Sequence, residues 1–248
     1  MEIGVQDKRV LVTGASGGLG EHFARLLASE RAHVTLAARR LERVEEIAAE
    51  LQQDGCAVEA AELDVCDPAS VTAFFDGLRV FDVVVNNAGI TGEGAALEMA
   101  VDDFKAVLDT NLTGAYQVAQ AAARQMKDAG GGSIINIASI LGLRVAKMVA
   151  AYTASKAGLV QLTKALALEW ARYDIRVNAL CPGYIETPIN SAFFQSEAGQ
   201  ALIKRIPQRR LGQFEDLDGA LILLASDRSA FMTGSVIAID GGHLVSGL

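Results

Sequence analysis

Aromatic residues make up only 6% of the 248-residue chain, with one tryptophan, and there are four prolines. A core of large rings is thereby excluded, and few breaks interrupt the apolar segments. No apolar run reaches the roughly 18 residues of a membrane span, and the N-terminal MEIGVQDKRV has no signal-peptide pattern, so a cytoplasmic, soluble protein without a membrane partner is expected. Positive charge is in deficit: 22 Lys and Arg face 30 Asp and Glu, a net charge of −8. That balance argues against nucleic acid and anionic membrane as partners. Cysteine is scarce too. Cys56, Cys66 and Cys181 lie in no CxxC or Cys/His pattern and are read as reduced, buried thiols. His22, His33 and His243 are too scattered for a metal site, and no metal is expected.

What is abundant points to an α/β protein. Hydrophobic residues make up 51% of the chain, and there are 24 glycines. Short β-branched runs alternate with longer segments whose apolar residues recur at spacings of three and four. The candidate strands are Arg9–Thr13, His33–Ala38, Ala57–Glu62, Asp82–Asn87, Ser133–Ser139, Arg176–Cys181 and Val236–Asp240. Asp67-Pro68 marks a helix start, and Gly130-Gly131-Gly132 a helix end. Strands that are apolar throughout, each followed by a helix, predict a parallel sheet covered on both faces. Repetition of that order predicts a single-domain, doubly wound (Rossmann) sheet of about seven strands spanning residues 1–248. Its ligand should lie beyond the carboxyl ends of the strands.

The first strand runs into TGASGGLG, in which Gly14, Gly18 and Gly20 follow the spacing TGxxxGxG. Such a turn lets the chain reverse, lets backbone approach a pyrophosphate, and lets a helix pack on the strand. The helix N-terminus then offers unpaired N–H groups to phosphate; the alternative is a plain βα connection. At the end of the second strand a carboxylate would bind the adenosine ribose, whereas an arginine would receive a 2′-phosphate. Here Ala38 occupies that position and Arg39 follows it, which favours NADP(H) and leaves NAD(H) open. Arg40 also precedes the helix, where Glu42 and Glu45 offset two cations unfavourable to its dipole.

Tyr152 and Lys156 stand one helical turn apart, on one face. A Lys⁺ about 5 Å from a phenol, at an effective dielectric near 20, favours the phenolate by roughly 3 kcal/mol, or about two pKa units. A phenol so tuned becomes a useful general acid and base near neutral pH. The alternative is an amphipathic helix with a snorkelling lysine.

TGASGGLG, NNAG (Asn86–Gly89), NLTG (Asn111–Gly114), NIAS (Asn136–Ser139), YTASK (Tyr152–Lys156) and CPGYIETP (Cys181–Pro188) occur in one order along the chain. In that order and spacing the sequence resembles the short-chain dehydrogenase/reductase family over essentially its whole length. The resemblance implies an NAD(P)(H)-dependent oxidoreductase reducing a ketone to a secondary alcohol, or the reverse, with Tyr152 as general acid and base. It implies that Lys156 also holds the nicotinamide ribose, that Ser139 hydrogen-bonds the substrate oxygen, and that Asn111 places a proton-relaying water. The local alternatives are a loop-capping hydroxyl for Ser139 and a helix-kinking amide for Asn111. By the same resemblance Ser16 and Leu19 lie at the pyrophosphate turn, and Asp64 and Val65 flank adenine. Asn87, Ala88 and Gly89 back the adenosine ribose, while Pro182, Gly183, Ile185 and Thr187 border the nicotinamide. For Asp64 the alternative is a cap on the helix near Pro68.

Residues 184–210 correspond to the family's variable substrate lid, here carrying Tyr184, Ile189, Phe193 and Phe194. Those side chains would either line an apolar site or pack on the core. Much of the chain is also similar to 3-oxoacyl-carrier-protein reductases. KDAGGGS and EWARYD offer few basic residues to an acidic carrier, which leaves a free ketone or a coenzyme A thioester open. A dinucleotide sensor without catalysis is the reading from another class, though all four family residues are present. The resemblance further suggests a homotetramer, with helices Phe104–Asp128 and Tyr152–Tyr173 pairing across one interface and the last strand across another.

Overall fold

The computed structural model describes residues 4–76, 80–187 and 191–246. Seven strands form one parallel sheet: β1 (Arg9–Thr13), β2 (His33–Ala38), β3 (Val58–Glu62), β4 (Val83–Asn86), β5 (Gly132–Ile137), β6 (Ile175–Pro182) and β7 (Val236–Ile239). Their spatial order is β3-β2-β1-β4-β5-β6-β7. The chain starts mid-sheet, winds outward through β3, returns to place β4 beside β1, and winds outward the other way. The reversal point lies between β1 and β4, where crevices open at carboxyl ends of strands.

Among the described residues nine α-helices accompany the strands: α1 (Gly18–Ser29), α2 (Leu41–Gln53), α3 (Pro68–Asp76), α4 (Val101–Leu108), α5 (Ala115–Ala129), α6 (Ala150–Trp170), α7 (Ser191–Gln195), α8 (Glu197–Ile203) and α9 (Asp218–Ala225). Continuous apolar strands follow from coverage on both faces. Val10 and Val12 pack with Phe23 of α1, Ile47 of α2 and Leu221 of α9. Between them, Leu11 points to the opposite layer, with Phe74 of α3, Val118 of α5 and Leu166 of α6. The edge strand β3 keeps Glu59 and Glu62 and is only partly buried.

The predicted strands are all present, β1 and β2 with the expected ends and the others with ends moved by at most two residues. Asp67 does cap α3, its Oδ1 accepting from the Ala69 amide at 2.9 Å. Gly130, at φ +97°, ends α5 in the left-handed region. The long helix expected over Phe104–Asp128 is instead broken into α4, a π-helical turn at Asp109–Gly114, and α5. Two contacts account for the bulge. The Asn111 side chain is drawn onto the backbone of Ile90, and Gly114 lies so close to Val65 that a Cβ would sit 2.8 Å from its Cγ2. A π-bulge is a recurrent device for turning a helical side chain into a site.

The thiols are free, but they are not all buried: Cys181 is buried, Cys56 half-buried and Cys66 exposed. Cys66 follows β3 beyond the packed sheet, its Sγ 3.4 Å from the Thr110 hydroxyl. No helix among the described residues is long and apolar enough to cross a membrane.

Candidate active site

Every loop that leaves the carboxyl edge of β1 to β6 carries part of the site. After β1, Gly14 takes φ +67°, and a Cβ there would lie 2.8 Å from the Ala88 Cα. A side chain at Gly20 would run into the Gly14 carbonyl oxygen, so α1 packs directly on the turn. Gly18, at φ +57°, faces open space. No side chain caps α1 at Gly17, which leaves its first amides to an incoming anion. Leu19 packs against the core below. Ser16 meets an unforeseen partner: Arg40 Nη2 donates to its Oγ at 3.0 Å and to its carbonyl oxygen at 3.3 Å. Arg39 is exposed and makes no hydrogen bond or ion pair among the described residues. The sequence signal for Arg40 was present, since it immediately precedes α2, but only the fold brings it over the glycine turn.

Asn87 closes the junction of β4 and β1. Its Nδ2 donates to the Thr13 carbonyl oxygen at 3.0 Å, while its own amide and that of Ala88 donate to the Thr13 hydroxyl. Gly89 follows at the exposed rim. After β3, Asp64 is half-buried and accepts from the Cys66 amide at 2.9 Å. It shapes the loop and does not cap α3. Val65 is buried against Gly114. After β6, Pro182 ends the strand, Ile185 is buried, and Thr187 is half-buried. Gly183 is pressed against Asp240, where a Cβ would lie 2.7 Å from the Asp240 Cα. Ile189 falls outside the described residues.

The structure brings Ser139, Tyr152, Lys156 and Asn111 to the same edge. Ser139 follows β5, and its Oγ accepts from the Leu141 amide at 3.1 Å, as the loop-capping reading of this serine expects. That bond occupies a lone pair and leaves the hydroxyl proton to donate elsewhere. The same hydroxyl lies close enough to the Tyr152 phenol to favour its ionised form. Lys156 is buried, with Nζ 5.7 Å from the centre of the Tyr152 ring and 2.7 Å from the Ile137 carbonyl oxygen. Asn111 is fully buried; Nδ2 donates to the Ile90 carbonyl oxygen and the Ser155 hydroxyl, and Oδ1 accepts from the Ile90 amide. A Cβ on Gly89 would lie 3.1 Å from Asn111 Oδ1 and 3.6 Å from Lys156 Nζ. The missing side chain thus keeps a gap between the two.

Electrostatics differ from the expectation. Burial pushes the Tyr152 phenol above its ordinary value, opposed by the nearby Ser139 hydroxyl. Burial also lowers the Lys156 ammonium to about 8. The expected two-unit fall for Tyr152 is therefore not met. That estimate counted attraction between the pair and omitted the desolvation that each suffers. A lone Cys181 thiol packs in the same cluster and is itself raised to about 11 by burial, which makes it an inert neighbour.

A buried amide chain supports the site from beneath. Asn86 Nδ2 donates to Asn136 Oδ1 at 3.1 Å, in register across β4 and β5, and Asn136 Nδ2 donates to Thr163 Oγ1 at 2.8 Å. The first asparagines of NNAG and NIAS therefore tie β4 and β5 to α6. Both motifs are visible in the sequence, but this division of labour is not.

A family model described as enoyl-(acyl carrier protein) reductase matches residues 14–243. The chain belongs to the short-chain dehydrogenase/reductase family. It is 37% identical to a 3-oxoacyl-[acyl-carrier-protein] reductase of Chlamydia trachomatis, over 95% of this chain and 97% of the relative. It is 35% identical to the gluconate 5-dehydrogenase of Gluconobacter oxydans, over 96% and 95%. Among solved structures, a gluconate 5-dehydrogenase from Burkholderia cenocepacia in complex with NADP and tartrate has a TM-score of 0.94 at 36% identity, with 99% of this chain and 98% of that one covered. This short-chain dehydrogenase/reductase is accordingly an oxidoreductase acting on the ketone/secondary-alcohol pair.

Proposed function

We propose that the chain works as one catalytic domain that reduces a ketone with NADP(H), taking NAD(H) less well, with residues 184–210 as the substrate lid. The observation that carries this reading is the convergence of the Ser139 hydroxyl, the Tyr152 phenol and the Lys156 ammonium beside an uncapped glycine turn. The site suits a dinucleotide: α1 offers unclaimed amides to phosphate, and Gly14 and Gly18 keep the approach clear. Arg39, lacking a protein partner, is placed to receive the 2′-phosphate, and Arg40 brings a second guanidinium to the turn. Ser16, Leu19, Asp64, Val65, Asn87, Ala88, Gly89, Pro182, Gly183, Ile185 and Thr187 complete the binding surface.

When bound, the nicotinamide supplies or accepts the hydride. The chain's own groups handle the proton. Ser139 donates a hydrogen bond to the carbonyl oxygen as negative charge develops there. Tyr152, held in its neutral form by burial, transfers its phenolic proton to that oxygen. Lys156 has committed one N–H to Ile137; two remain to hold a ribose hydroxyl and to stabilise the resulting phenolate. The gap kept by Gly89 between Asn111 and Lys156 is the place for the relaying water.

The lid favours core packing at one position and exposure at another. Phe194 is buried with Ile206 and Leu211, whereas Phe193 is half exposed. Homotetramer assembly has support in exposed apolar side chains: Leu97, Val101 and Leu168 beside α4 and α6, and Phe231 and Val245 flanking the edge strand β7. Three free thiols suit a cytoplasmic location. Initial rates of NADPH and NADH oxidation, with an acetoacetyl thioester and a free aryl or alicyclic ketone compared at matched concentration, test the reading. Faster thioester turnover favours acyl-chain reduction; no turnover of any carbonyl compound, with dinucleotide binding intact, favours a sensor.

A further inference from the structure

Three chain segments far apart in sequence meet beside the lid. Tyr184 follows the Pro182-Gly183 turn, with its ring 5.9 Å from Phe194 and 5.5 Å from the His243 imidazole. His243 opens the short helical turn His243–Val245 that follows β7, and it is buried. Arg144, five residues beyond Ser139, reaches over and donates Nη1 to the His243 carbonyl oxygen at 2.7 Å. The Ser139 loop and the last turn of the fold are thereby joined.

The charges around this cluster are unbalanced. Arg144 is exposed and uses one N–H on a carbonyl; it pairs with no carboxylate among the described residues. Arg205, exposed after α8, likewise has no carboxylate partner, yet its charge bears on the same imidazole as Arg144's does. The turn at Gly241 and Gly242 packs on Ile206 and Pro207, which brings the two arginines to one region. Asp240 faces the ring as well, but its carboxylate is taken up by the Gly242 and Leu244 amides at 2.9 and 2.6 Å. The imidazole contributes no cation, since burial and the two guanidinium groups push it below its ordinary value. In a chain of net charge −8, two guanidinium groups thus stand unneutralised next to Tyr184 and the Ser139 loop.

We propose that Arg144, with Arg205 reinforcing its field, receives an anionic group of the carbonyl substrate and so selects oxo compounds that carry an oxyanion. This inference rests on the ketone-reducing reading above and names its substrate class. A guanidinium retains four N–H donors after the bond to His243, in a fork that matches a carboxylate or a phosphate. Those two groups share the recognising chemistry, and the substrate's source decides between them.

The test compares charged and uncharged partners of one carbonyl: 4-oxopentanoate with its methyl ester, and acetoacetyl-coenzyme A with the acetoacetyl thioester of N-acetylcysteamine, which lacks phosphate. Initial rates with NADPH are measured for wild type, Arg144→Met, Arg144→Lys and Arg205→Met. In one pair, wild type should favour the charged member in kcat/KM by about tenfold or more, chiefly through KM. Arg144→Met should abolish that ratio, and Arg144→Lys should restore part of it. Arg205→Met should reduce it less, and as an exposed change it keeps the test alive if Arg144→Met fails to fold. The pair that responds identifies carboxylate or phosphate. Tyr152-dependent turnover that ignores charge in both pairs overturns this proposal and leaves ketone reduction standing. Absence of Tyr152-dependent turnover in all four compounds overturns both.

Discussion

Replacing Lys156 by methionine removes a charge from a fully enclosed position while keeping most of the side chain's volume. The lysine sits at about 8 in the native protein against an ordinary 10.5, because burial disfavours its ammonium. Between those values the unfolded chain binds the proton more tightly than the native one, so stability rises with pH across the window. The burden on the fold is about 3 kcal/mol at pH 7, falling to roughly 1 kcal/mol at pH 9.5. The hydrogen bond to the Ile137 carbonyl oxygen acts in the opposite sense by favouring the ammonium. Urea unfolding of wild type and Lys156→Met, without cofactor, at pH 7, 8, 9 and 9.5 measures the difference directly. The methionine variant should be the more stable at pH 7, and its advantage should shrink by about 2 kcal/mol by pH 9.5. The variant should also be inactive, which would make this lysine a residue kept for function at the expense of stability. A difference that does not change with pH would refute the reasoning, because it would mean that the Ile137 bond fully offsets the desolvation.

Tyr152→Phe should lower kcat for ketone reduction by about 100-fold or more while dinucleotide binding, read by fluorescence, is retained; an active phenylalanine variant would remove the phenol from the chemistry. Reduction rates should fall as pH rises through about 8, where Lys156 loses its proton, and a level profile from pH 6 to 10 would contradict that assignment. Gly20→Ala should abolish dinucleotide binding and cost about 1–3 kcal/mol through its collision with the Gly14 carbonyl. Gly18→Ala, strained at φ +57° but in open space, should cost about 1 kcal/mol, so equal melting temperatures for the two variants would refute the packing argument. Arg39→Ala should reduce kcat/KM for NADPH by about tenfold or more relative to NADH, and Arg40→Ala less; an unchanged ratio in Arg39→Ala would move 2′-phosphate recognition elsewhere.

The fold was legible because its signals are local. Val10, Leu11 and Val12 are apolar in succession, and that run has meaning only in a strand covered on both faces, as both core layers show. Asp67-Pro68 and Gly130 act within a turn of where they stand, and they set helix ends where expected. The π-turn at Asp109–Gly114 was not legible, for it is made by Ile90 and Val65, residues distant in sequence that pull on Asn111 and exclude a side chain at Gly114. Asn111 carries the two readings first set against each other, helix-bending amide and site residue; its bonds account for the bend, and the orientation they fix is the one the proposed site role needs. The bend turns the amide towards Ile90 and Ser155, and this orientation brings its oxygen to the gap beside Lys156.

Tyr152 and Lys156 show where legibility stops within a site. A one-turn spacing is enough to predict that phenol and ammonium share a helix face, and they do. Their proton affinities depend on what encloses them: the Ile137 carbonyl, the Cys181 thiol and the Ser139 hydroxyl all arrive from β5 and β6. Desolvation raises the phenol above its ordinary value and lowers the ammonium to about 8, so the two proton affinities, nearly equal in the free side chains, move apart. The phenol therefore keeps its proton near neutral pH, as a group that must donate to a developing alkoxide requires. The arginine cluster at Arg144 and Arg205 follows the same logic at longer range. Each is an ordinary surface cation in sequence, and the absence of a carboxylate partner becomes visible only when the last turn of the chain folds back onto the Ser139 loop.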